Sequence, residues 1–448
     1  MKIELLFGGV RFSPLWMAVD LLLLGHFFFF WYRSYKKTGW KLDFWTFTIF
    51  LQFVLFILLM YPFSASIFNI PALGRDYERV EPFVDKAFSI GAVGYLFLWV
   101  GRYLHDRPRR RVNFLPLKKL MSGMERIIER NISSKRSCYA LLLLTIALFA
   151  LIAPFFFSAG FGFSARDYFI RESSLRPLFN LTICAFTVAI WYFGVRYQQW
   201  RKKETLLLLF ALFFLSLFLG SRLLTFFNLL MVLSYRIFFN KGRVTLWKVA
   251  AFMPVFLLGA IFLASARTGI DDPFHLLLNF WYQTLYGSHL SDNRDFAWLL
   301  SYWDGEYLYG KSYLAALLSF LPRFASEFRE AWSYGGYVTE LVQFDRLQHT
   351  GLRSGPFGEA YLNFGWVGVM AMGTIGGYVL RLADVKLKEA VLLHGNIVKG
   401  FAGTFAFIVV TNFFNTSGFW LLYFFILINL ALYMIGRSKS RILFAGKV

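Results

Sequence analysis

The region with the clearest pattern for chemistry runs from Gly355 to Gly365 and combines a carboxylate, a carboxamide and an aromatic residue among glycines. Glu359 and Asn363 are four residues apart, so on a helix both side chains would lie on the same face. A carboxylate there can take a proton from a sugar hydroxyl, with Asn363 and Tyr361 as ligands of the sugar. An acid in the first turn of a helix also stabilises the helix dipole, and spacing alone does not separate these interpretations.

Basic residues form the second group of candidates. Arg222 lies in the tight turn Gly220-Ser221-Arg222 between two apolar segments, where an unpaired guanidinium is costly and is therefore a functional candidate. The alternative is a snorkelling side chain that contacts lipid headgroups. Guanidinium groups bind phosphate and carboxylate through paired hydrogen bonds. The basic residues that we predict to bind an anionic substrate are Arg222, Arg267, Arg323, Arg353 and Lys311.

Other polar residues lie in the same part of the chain. His349, close to Arg353 in sequence, can act as an acid or base, although a loop histidine is usually just solvated. Asp304 and Glu306 follow Trp303, a combination found in carbohydrate sites and equally at membrane interfaces. The sequence has no GxxxxGK[ST], HExxH or CxxC motif, and its six histidines are scattered. We therefore expect no cofactor and no metal, and a substrate that arrives already activated.

Hydrophobic segments must position these residues. Of 448 residues, 58% are hydrophobic and only 16% are charged, against about 25% charged in soluble domains. The apolar residues occur in blocks near the length that crosses a bilayer, roughly 17–25 residues. We predict an all-α polytopic membrane protein with about eleven transmembrane helices. The predicted spans are 14–32, 43–63, 87–104, 138–158, 176–195, 205–220, 223–239, 249–266, 364–380, 400–413 and 418–436.

Charge placement predicts the side of the membrane that each loop occupies. Cytoplasmic loops are expected to be rich in Lys and Arg. Most of the 47 basic residues lie in the loops that we therefore assign to the cytoplasm, 33–42, 102–137, 196–204, 236–248, 381–399 and 437–448. This topology explains the net charge of +21, so nucleic acid is not an expected partner. Within 102–137, apolar residues at helical spacing among basic ones predict an amphipathic helix on the membrane surface.

One loop is much longer than the other connections. It covers 267–355, carries many Trp and Tyr residues and contains amphipathic pieces, so we predict an ordered helical domain on the non-cytoplasmic face. The predicted organisation is a first group of eight transmembrane helices in 1–266, the large periplasmic loop in 267–355 and the last three helices in 356–448.

Three stretches of the sequence resemble a known family. They are Gly220-Ser221-Arg222, the segment from Gly310-Lys311-Ser312-Tyr313 to Leu321-Pro322-Arg323, and above all Gly358-Glu359-Ala360-Tyr361-Leu362-Asn363-Phe364-Gly365. Together with the many spans and one dominant late loop, they resemble bacterial oligosaccharide repeat-unit polymerases of the O-antigen polymerase (Wzy) type. That family belongs to the C superfamily of glycosyltransferases (GT-C).

The resemblance implies a multi-pass enzyme of the bacterial inner membrane whose active face is periplasmic. It would transfer a growing glycan from undecaprenyl pyrophosphate to the non-reducing sugar of a new lipid-linked unit, in O-antigen, capsule or exopolysaccharide synthesis. No nucleotide sugar or metal would be needed, and membrane lipids and a polysaccharide chain-length regulator are candidate partners. Glu359 would be the base or acceptor ligand. The residues expected to bind pyrophosphate or glycan are Arg222, Arg267, Arg323 and Arg353.

One departure from the family and several alternatives stay open. Some members carry paired arginine-to-glycine motifs in two outer loops, whereas loop 159–175 has Arg166 and Arg171 without matching glycines. An O-antigen ligase would share the architecture. A C-type transferase that uses lipid monophosphate sugars would place its acids in the first outer loop, where Asp76 and Asp85 lie. A flippase or other transporter would commonly show internal repeats and broken helices, and neither is visible in the sequence.

Overall fold

The computed structural model describes residues 13–40, 42–64, 77–107, 115–159, 168–169, 175–219, 228, 232, 290–321, 325–344 and 352–445. Within these ranges the chain is helical and contains no strand. The α-helices are α1 (Pro14–Thr38), α2 (Phe44–Ile49), α3 (Tyr61–Ser64), α4 (Tyr77–Val80), α5 (Val84–Asp106), α6 (Leu115–Ser133), α7 (Lys135–Ala159), α8 (Arg176–Trp200), α9 (Lys203–Leu217), α10 (Asp292–Tyr302), α11 (Lys311–Leu317), α12 (Glu327–Trp332), α13 (Tyr334–Leu341), α14 (Gly355–His394), α15 (Ile397–Gly403), α16 (Phe405–Phe414) and α17 (Phe419–Ala445). A π-helix (Phe50–Leu58) continues α2.

Eight helical stretches in the described ranges are long and apolar enough to cross a membrane. They are Pro14–Thr38, Phe44–Ser64, Glu78–Asp106, Lys135–Phe155, Arg176–Trp200, Gly355–His394, Ile397–Phe414 and Thr416–Arg437. Each overlaps a predicted span, which confirms the prediction of an all-α chain with apolar helices long enough to cross a membrane. The predicted span 205–220 is α9, which at 15 residues is shorter than a typical crossing. Because the predicted spans 223–239 and 249–266 lie outside the described residues, the count of eleven stays a prediction.

The amphipathic helix predicted within 102–137 is present as α6. Met124, Ile128 and Ile132 recur every four residues along one side of it and are buried. Arg126 and Arg130 lie between them in sequence and are exposed. The apolar face of this helix therefore packs against α15 and α17, and the basic face is exposed.

The chain packs into two compact units. Unit 1 is formed by the described residues within 1–109, 241–381 and 413–417. Unit 2 is formed by those within 110–240, 382–412 and 418–448. Every predicted site residue that the structure describes belongs to unit 1, which joins the described part of the large loop to the first helices of the chain.

Glycines bring α5 and α14 into direct backbone contact within unit 1. A Cβ atom on Gly101 would lie 2.1 Å from the carbonyl oxygen of Thr374, and one on Gly377 would lie 2.0 Å from that of Leu98. No other residue fits at such distances, and packing through small residues is common between membrane helices. The contact fixes the position of α14 along α5, and hence the position of the first turns of α14, where Glu359 lies.

Two helical segments of α14 meet at Gly365. This residue has φ 62° and ψ −147°, a conformation essentially restricted to glycine. At the break, the carbonyl oxygens of Leu362 and Asn363 accept hydrogen bonds from the N–H groups of Leu308 and Tyr309, at 2.9 and 3.0 Å. The interruption of α14 therefore provides the attachment point for the loop that precedes α11.

Replacing Gly365 with alanine tests this attachment. The observed φ of 62° is unfavourable for alanine, and its Cβ atom would lie 2.9 Å from the Tyr307 hydroxyl oxygen. We expect Gly365→Ala to lower the free energy of unfolding by about 1–3 kcal/mol, measured as a lower Tm of the purified protein in detergent. The control is Gly123→Ala in α6, where a Cβ meets nothing within 4 Å and alanine favours the helix. Equal Tm values for the two variants would contradict the proposed role of Gly365.

Candidate functional site

Five of the nine predicted site residues lie in the described part of the chain. Three of these five residues are buried in the first turns of α14, namely Glu359, Tyr361 and Asn363. Lys311, at the start of α11, is exposed, and the side chain of Arg353 is 39% exposed. The remaining predicted residues lie outside the described ranges, and their roles stay predictions: Arg222, Arg267, Arg323 and His349.

The Glu359 carboxylate is fully buried and accepts three hydrogen bonds. Ser312 Oγ, in α11, donates to Oε1 at 2.6 Å. Thr416 donates twice, through its hydroxyl to Oε1 at 2.5 Å and through its backbone N–H to Oε2 at 2.7 Å. Thr416 opens the 3-10 turn Thr416–Gly418. One carboxylate therefore ties together α14, α11 and the segment that precedes α17.

The Asn363 carboxamide completes this network from one turn further along α14. Its Nδ2 group donates to Ser312 Oγ and to the Glu359 carbonyl oxygen, both at 2.8 Å. Its Oδ1 atom accepts from the backbone N–H of Gly310 at 2.9 Å. Glu359 and Asn363 thus both contact Ser312, in agreement with the shared helix face that their four-residue spacing predicts. We call the linked side chains of Glu359, Asn363, Ser312 and Thr416 the Glu359 network.

All three hydrogen bonds around Glu359 involve its carboxyl oxygens, and the one from the Thr416 backbone N–H can only be donated to it. Among the described residues no cationic side chain forms an ion pair with it, and the hydrogen bonds must therefore offset the loss of hydration. Burial, together with the Glu359 charge, raises the pKa of the neighbouring Tyr313 hydroxyl far above its usual value. Tyr313 therefore stays protonated.

Arg353 belongs to a second polar cluster, at the start of α10. Its Nε atom lies 3.3 Å from Asp292 Oδ1, and its guanidinium also donates to Ser291 Oγ at 3.0 Å. Ser291 Oγ in turn donates to Asp295 Oδ2 at 2.7 Å. Burial raises the pKa of the Asp292 carboxyl to about 6, although the Arg353 charge lowers it. In this structure Arg353 thus pairs with the Asp292 carboxylate of the large loop.

A small cavity opens beside this second cluster. Its volume is about 250 Å³ including the open mouth, but the enclosed part has room only for a group the size of a water molecule. Asp292 and Asn293 of α10 contribute polar atoms, and the π-helix, α5 and the first turn of α14 contribute mainly apolar wall. We call this space the Asp292 cavity.

An aromatic cluster with a cation above it lies elsewhere in unit 1. The ring centroid of Trp303 is 5.4 Å from that of Tyr307 and 5.7 Å from that of Tyr361. A hydrogen bond from Trp303 Nε1 to the Glu306 carbonyl oxygen, at 2.8 Å, fixes the indole. The exposed Lys86 Nζ atom lies 5.8 and 5.7 Å from the Trp303 and Tyr361 centroids. Aromatic faces with a nearby cation suit acidic sugars, and they also occur at membrane interfaces.

Lys311 takes part in a similar contact. Its Nζ atom lies 4.0 Å from the centre of the Trp332 ring, a cation–π distance. Lys311 directly precedes Ser312 of the Glu359 network in the chain, and its side chain is exposed.

Several residues at these two sites had no distinguishing signal in the sequence. Thr416 lies 57 residues from Glu359, in the short connection between two predicted spans, and nothing marks it as a carboxylate ligand. Asp292 and Asn293 are residue types common at helix starts. Ser312 was part of the family resemblance, but its contact with Glu359 could not be derived from spacing.

Replacing Glu359 with glutamine tests whether this carboxylate holds unit 1 together. The amide would turn an acceptor into a donor facing the Ser312 and Thr416 hydrogens. We expect Glu359→Gln to lower the free energy of unfolding by about 1–3 kcal/mol, read from Tm in detergent. The matched control is Glu330→Gln, an exposed change in α12 that should leave Tm unaltered. A Glu359→Gln protein as stable as the control would contradict the structural importance of the network.

Known proteins provide no relative with which to compare these sites. Among the described residues, no group of three His, Cys, Asp or Glu side chains could hold a metal ion. No protein-family model matches the chain, and neither a curated protein nor a solved structure is detectably similar to it.

Proposed function

We propose that this protein is a membrane glycosyltransferase that joins undecaprenyl-pyrophosphate-linked oligosaccharide repeat units into a longer glycan. One observation carries the proposal. Of the three stretches that resemble repeat-unit polymerases, two contain described residues, and these residues meet in space. Ser312 and Gly310, from the stretch that begins at Gly310, contact Glu359 and Asn363, from the stretch that begins at Gly358. A functional site is expected to bring together residues that lie far apart in the sequence, as these contacts do.

The proposed reaction is a glycosyl transfer that needs only lipid-linked substrates. The oxygen of an acceptor hydroxyl forms a bond to the anomeric carbon of the donor sugar. The bond between that carbon and the pyrophosphate oxygen breaks, and its electron pair leaves with undecaprenyl pyrophosphate. The acceptor hydroxyl loses its proton to a base. A site for this chemistry needs cations for the leaving group and a carboxylate for the proton.

The described residues supply parts of such a site. Lys311 and Lys86 are exposed cations on aromatic rings, suited to acidic sugars or to phosphate. We assign the pyrophosphate to Arg222, Arg267 and Arg323 on the resemblance alone. In this structure Glu359 fixes α11 against α14. A role as base would require a substrate hydroxyl to displace Ser312 or Thr416.

We also propose the membrane in which the protein lies and the face on which it acts. The eight apolar helices support a membrane location, and the excess of basic residues in alternate loops supports an orientation with the large loop outside the cytoplasm. We therefore propose the bacterial inner membrane with catalysis at its periplasmic face. Membrane lipids and a chain-length regulator are the proposed partners. The reaction as written involves neither a nucleotide sugar nor a metal ion.

Two alternative functions differ from the proposed polymerase, one in the molecule that accepts the glycan and the other in the position of its catalytic carboxylates. An O-antigen ligase would use the same donor and a different acceptor. A transferase using lipid monophosphate sugars would rely on acids near the start of α5. Asp85 accepts a 2.6 Å hydrogen bond from the Tyr61 hydroxyl, which gives that alternative some basis. The joined resemblance stretches favour the polymerase.

Glycan length in a strain lacking the gene tests the proposal. We expect single repeat units in the deletion strain and a full ladder when the wild-type gene is returned. Arg222→Ala should leave mainly single units, because the pyrophosphate would lose a stabilising cation. The control Arg126→Ala, on the exposed face of α6, should restore the ladder.

Two other outcomes would redirect the assignment. A long lipid-linked polymer that never reaches its final acceptor would identify a ligase. A normal ladder in the deletion strain would exclude the polymerase and would favour a transporter or another role.

A further inference from the structure

The buried ring of Tyr361 lies at the centre of a cluster of aromatic side chains that reach the surface. Its centroid is 5.7 Å from that of Trp303 and 6.4 Å from that of Tyr307. The Trp366 centroid lies 5.5 Å from it. Trp303 and Tyr307 are partly exposed, and Trp366 is exposed. Tyr361 itself is only 4% exposed, so it supports the other rings and leaves contact with a ligand to them. We call Trp303, Tyr307 and Trp366 the aromatic surface.

An exposed ammonium group lies at the edge of the aromatic surface. The Lys86 Nζ atom is 5.8 Å from the Trp303 centroid and 5.7 Å from that of Tyr361. Because these two centroids are themselves 5.7 Å apart, the three groups form a triangle with nearly equal sides. Lys86 and Trp303 therefore converge on one place, where a single ligand can contact both.

The charge of Lys86 is not used within the described part of the chain. No carboxylate there forms an ion pair with it. The two acids that follow Trp303 in the chain act elsewhere, because burial and then the charges of Asp304 and Glu306 raise the pKa of the Tyr337 hydroxyl to about 12. The Lys86 ammonium group can therefore pair with an anion from outside the protein.

Hydrogen bonds hold the aromatic surface in place before a ligand binds. Trp303 Nε1 donates to the Glu306 carbonyl oxygen at 2.8 Å. Tyr307 directly precedes Leu308, whose N–H group donates to the Leu362 carbonyl oxygen of α14 at 2.9 Å. A surface that is already ordered loses little conformational freedom on binding, which favours affinity.

The accessible groups match a sugar that carries a carboxylate. Ligand sites commonly combine aromatic walls with a few polar groups that fix the orientation of the ligand. The C–H face of a sugar ring packs on aromatic side chains, and a carboxylate on that ring can reach the ammonium group. A lipid phosphate at a membrane interface would also meet aromatic residues and a lysine. It offers no flat C–H face to pack on the rings, so the sugar is the better match.

We propose that Lys86 and the aromatic surface bind a carboxylated sugar of the glycan substrate. The Lys86 ammonium group pairs with the sugar carboxylate, and the rings of Trp303, Tyr307 and Trp366 pack on the sugar. This inference rests on the glycosyl transfer proposed above and names the class of its substrate, a repeat unit that contains an acidic sugar. The surface is a binding subsite and takes no part in making or breaking bonds.

The first test is the composition of the repeat unit that accumulates in a strain lacking the gene. Mass spectrometry of the glycan released from its lipid should show at least one carboxylated sugar in each unit. A repeat unit made only of neutral sugars would overturn the inference and leave the proposed polymerase intact. A strain that accumulates no single units would instead overturn the proposed function, and the inference with it.

The second test measures binding by the purified full-length protein in detergent. The probes are the released repeat unit and the same glycan with its carboxylate chemically reduced to an alcohol, compared by calorimetry. We expect the wild type to bind the intact glycan about tenfold more tightly, the size of effect of a hydrogen bond to a charged group. Lys86→Gln should remove this preference without changing the affinity for the reduced glycan. The control Lys119→Gln, an exposed lysine of α6, should keep it.

Variants of Trp303 test the contribution of the rings. Trp303→Leu should weaken binding of both glycans by about fivefold, because it removes an aromatic face. Trp303→Phe keeps a ring but, like leucine, cannot donate to the Glu306 carbonyl oxygen. It should retain affinity within about twofold of the wild type. Because both variants lose the same hydrogen bond, a difference in affinity between them reports the ring and not the fold.

Three results of the binding test would overturn the inference. Equal affinity of the wild type for the intact and reduced glycans would assign Lys86 to lipid headgroups. A Lys86→Gln protein that still prefers the intact glycan would show that another residue binds the carboxylate. Failure of the wild type to bind either glycan at millimolar concentration would remove the subsite. None of these results bears on whether the protein forms glycosidic bonds, so the proposed function would be judged separately.

Discussion

The hydrogen bonding of one buried carboxylate constrains the rest of unit 1. Glu359 is removed from water without a described cationic partner, so Ser312 and Thr416 must offset its lost hydration. Those two residues lie far from it in the chain. Satisfying the carboxylate therefore brings α11 and the segment before α17 against α14. The break at Gly365 adds a second constraint, because the α14 carbonyls there bind the loop before α11.

The two buried carboxylates at α14 and α10 have different partners. Glu359 accepts hydrogen bonds from Ser312 and Thr416, and no cation among the described residues pairs with it. Asp292 instead lies 3.3 Å from the Nε atom of Arg353. Backbone contact between α5 and α14 links the two sites, since both helices line the Asp292 cavity and α14 carries Glu359.

The sequence predicts most of the membrane helices, because an apolar block of bilayer length has few other solutions. It also predicts the amphipathic α6 and the shared face of Glu359 and Asn363, since both follow from helical periodicity. The partners of Glu359 could not be predicted in this way. Thr416 reaches Glu359 through packing over a long chain separation, which periodicity does not encode. The pairing of Asp292 with Arg353 could not be predicted either, because an acid at a helix start has an ordinary structural explanation.

The most direct test of the account is the stoichiometry of the reaction in vesicles that contain only this protein and a lipid-linked repeat unit. Glycosidic bonds would be counted by mass spectrometry of the glycan, and undecaprenyl pyrophosphate would be measured in the same sample. The account predicts one released lipid pyrophosphate for each new bond between repeat units, with no nucleotide sugar added. Release of lipid pyrophosphate without glycan growth, or no release at all, would contradict it.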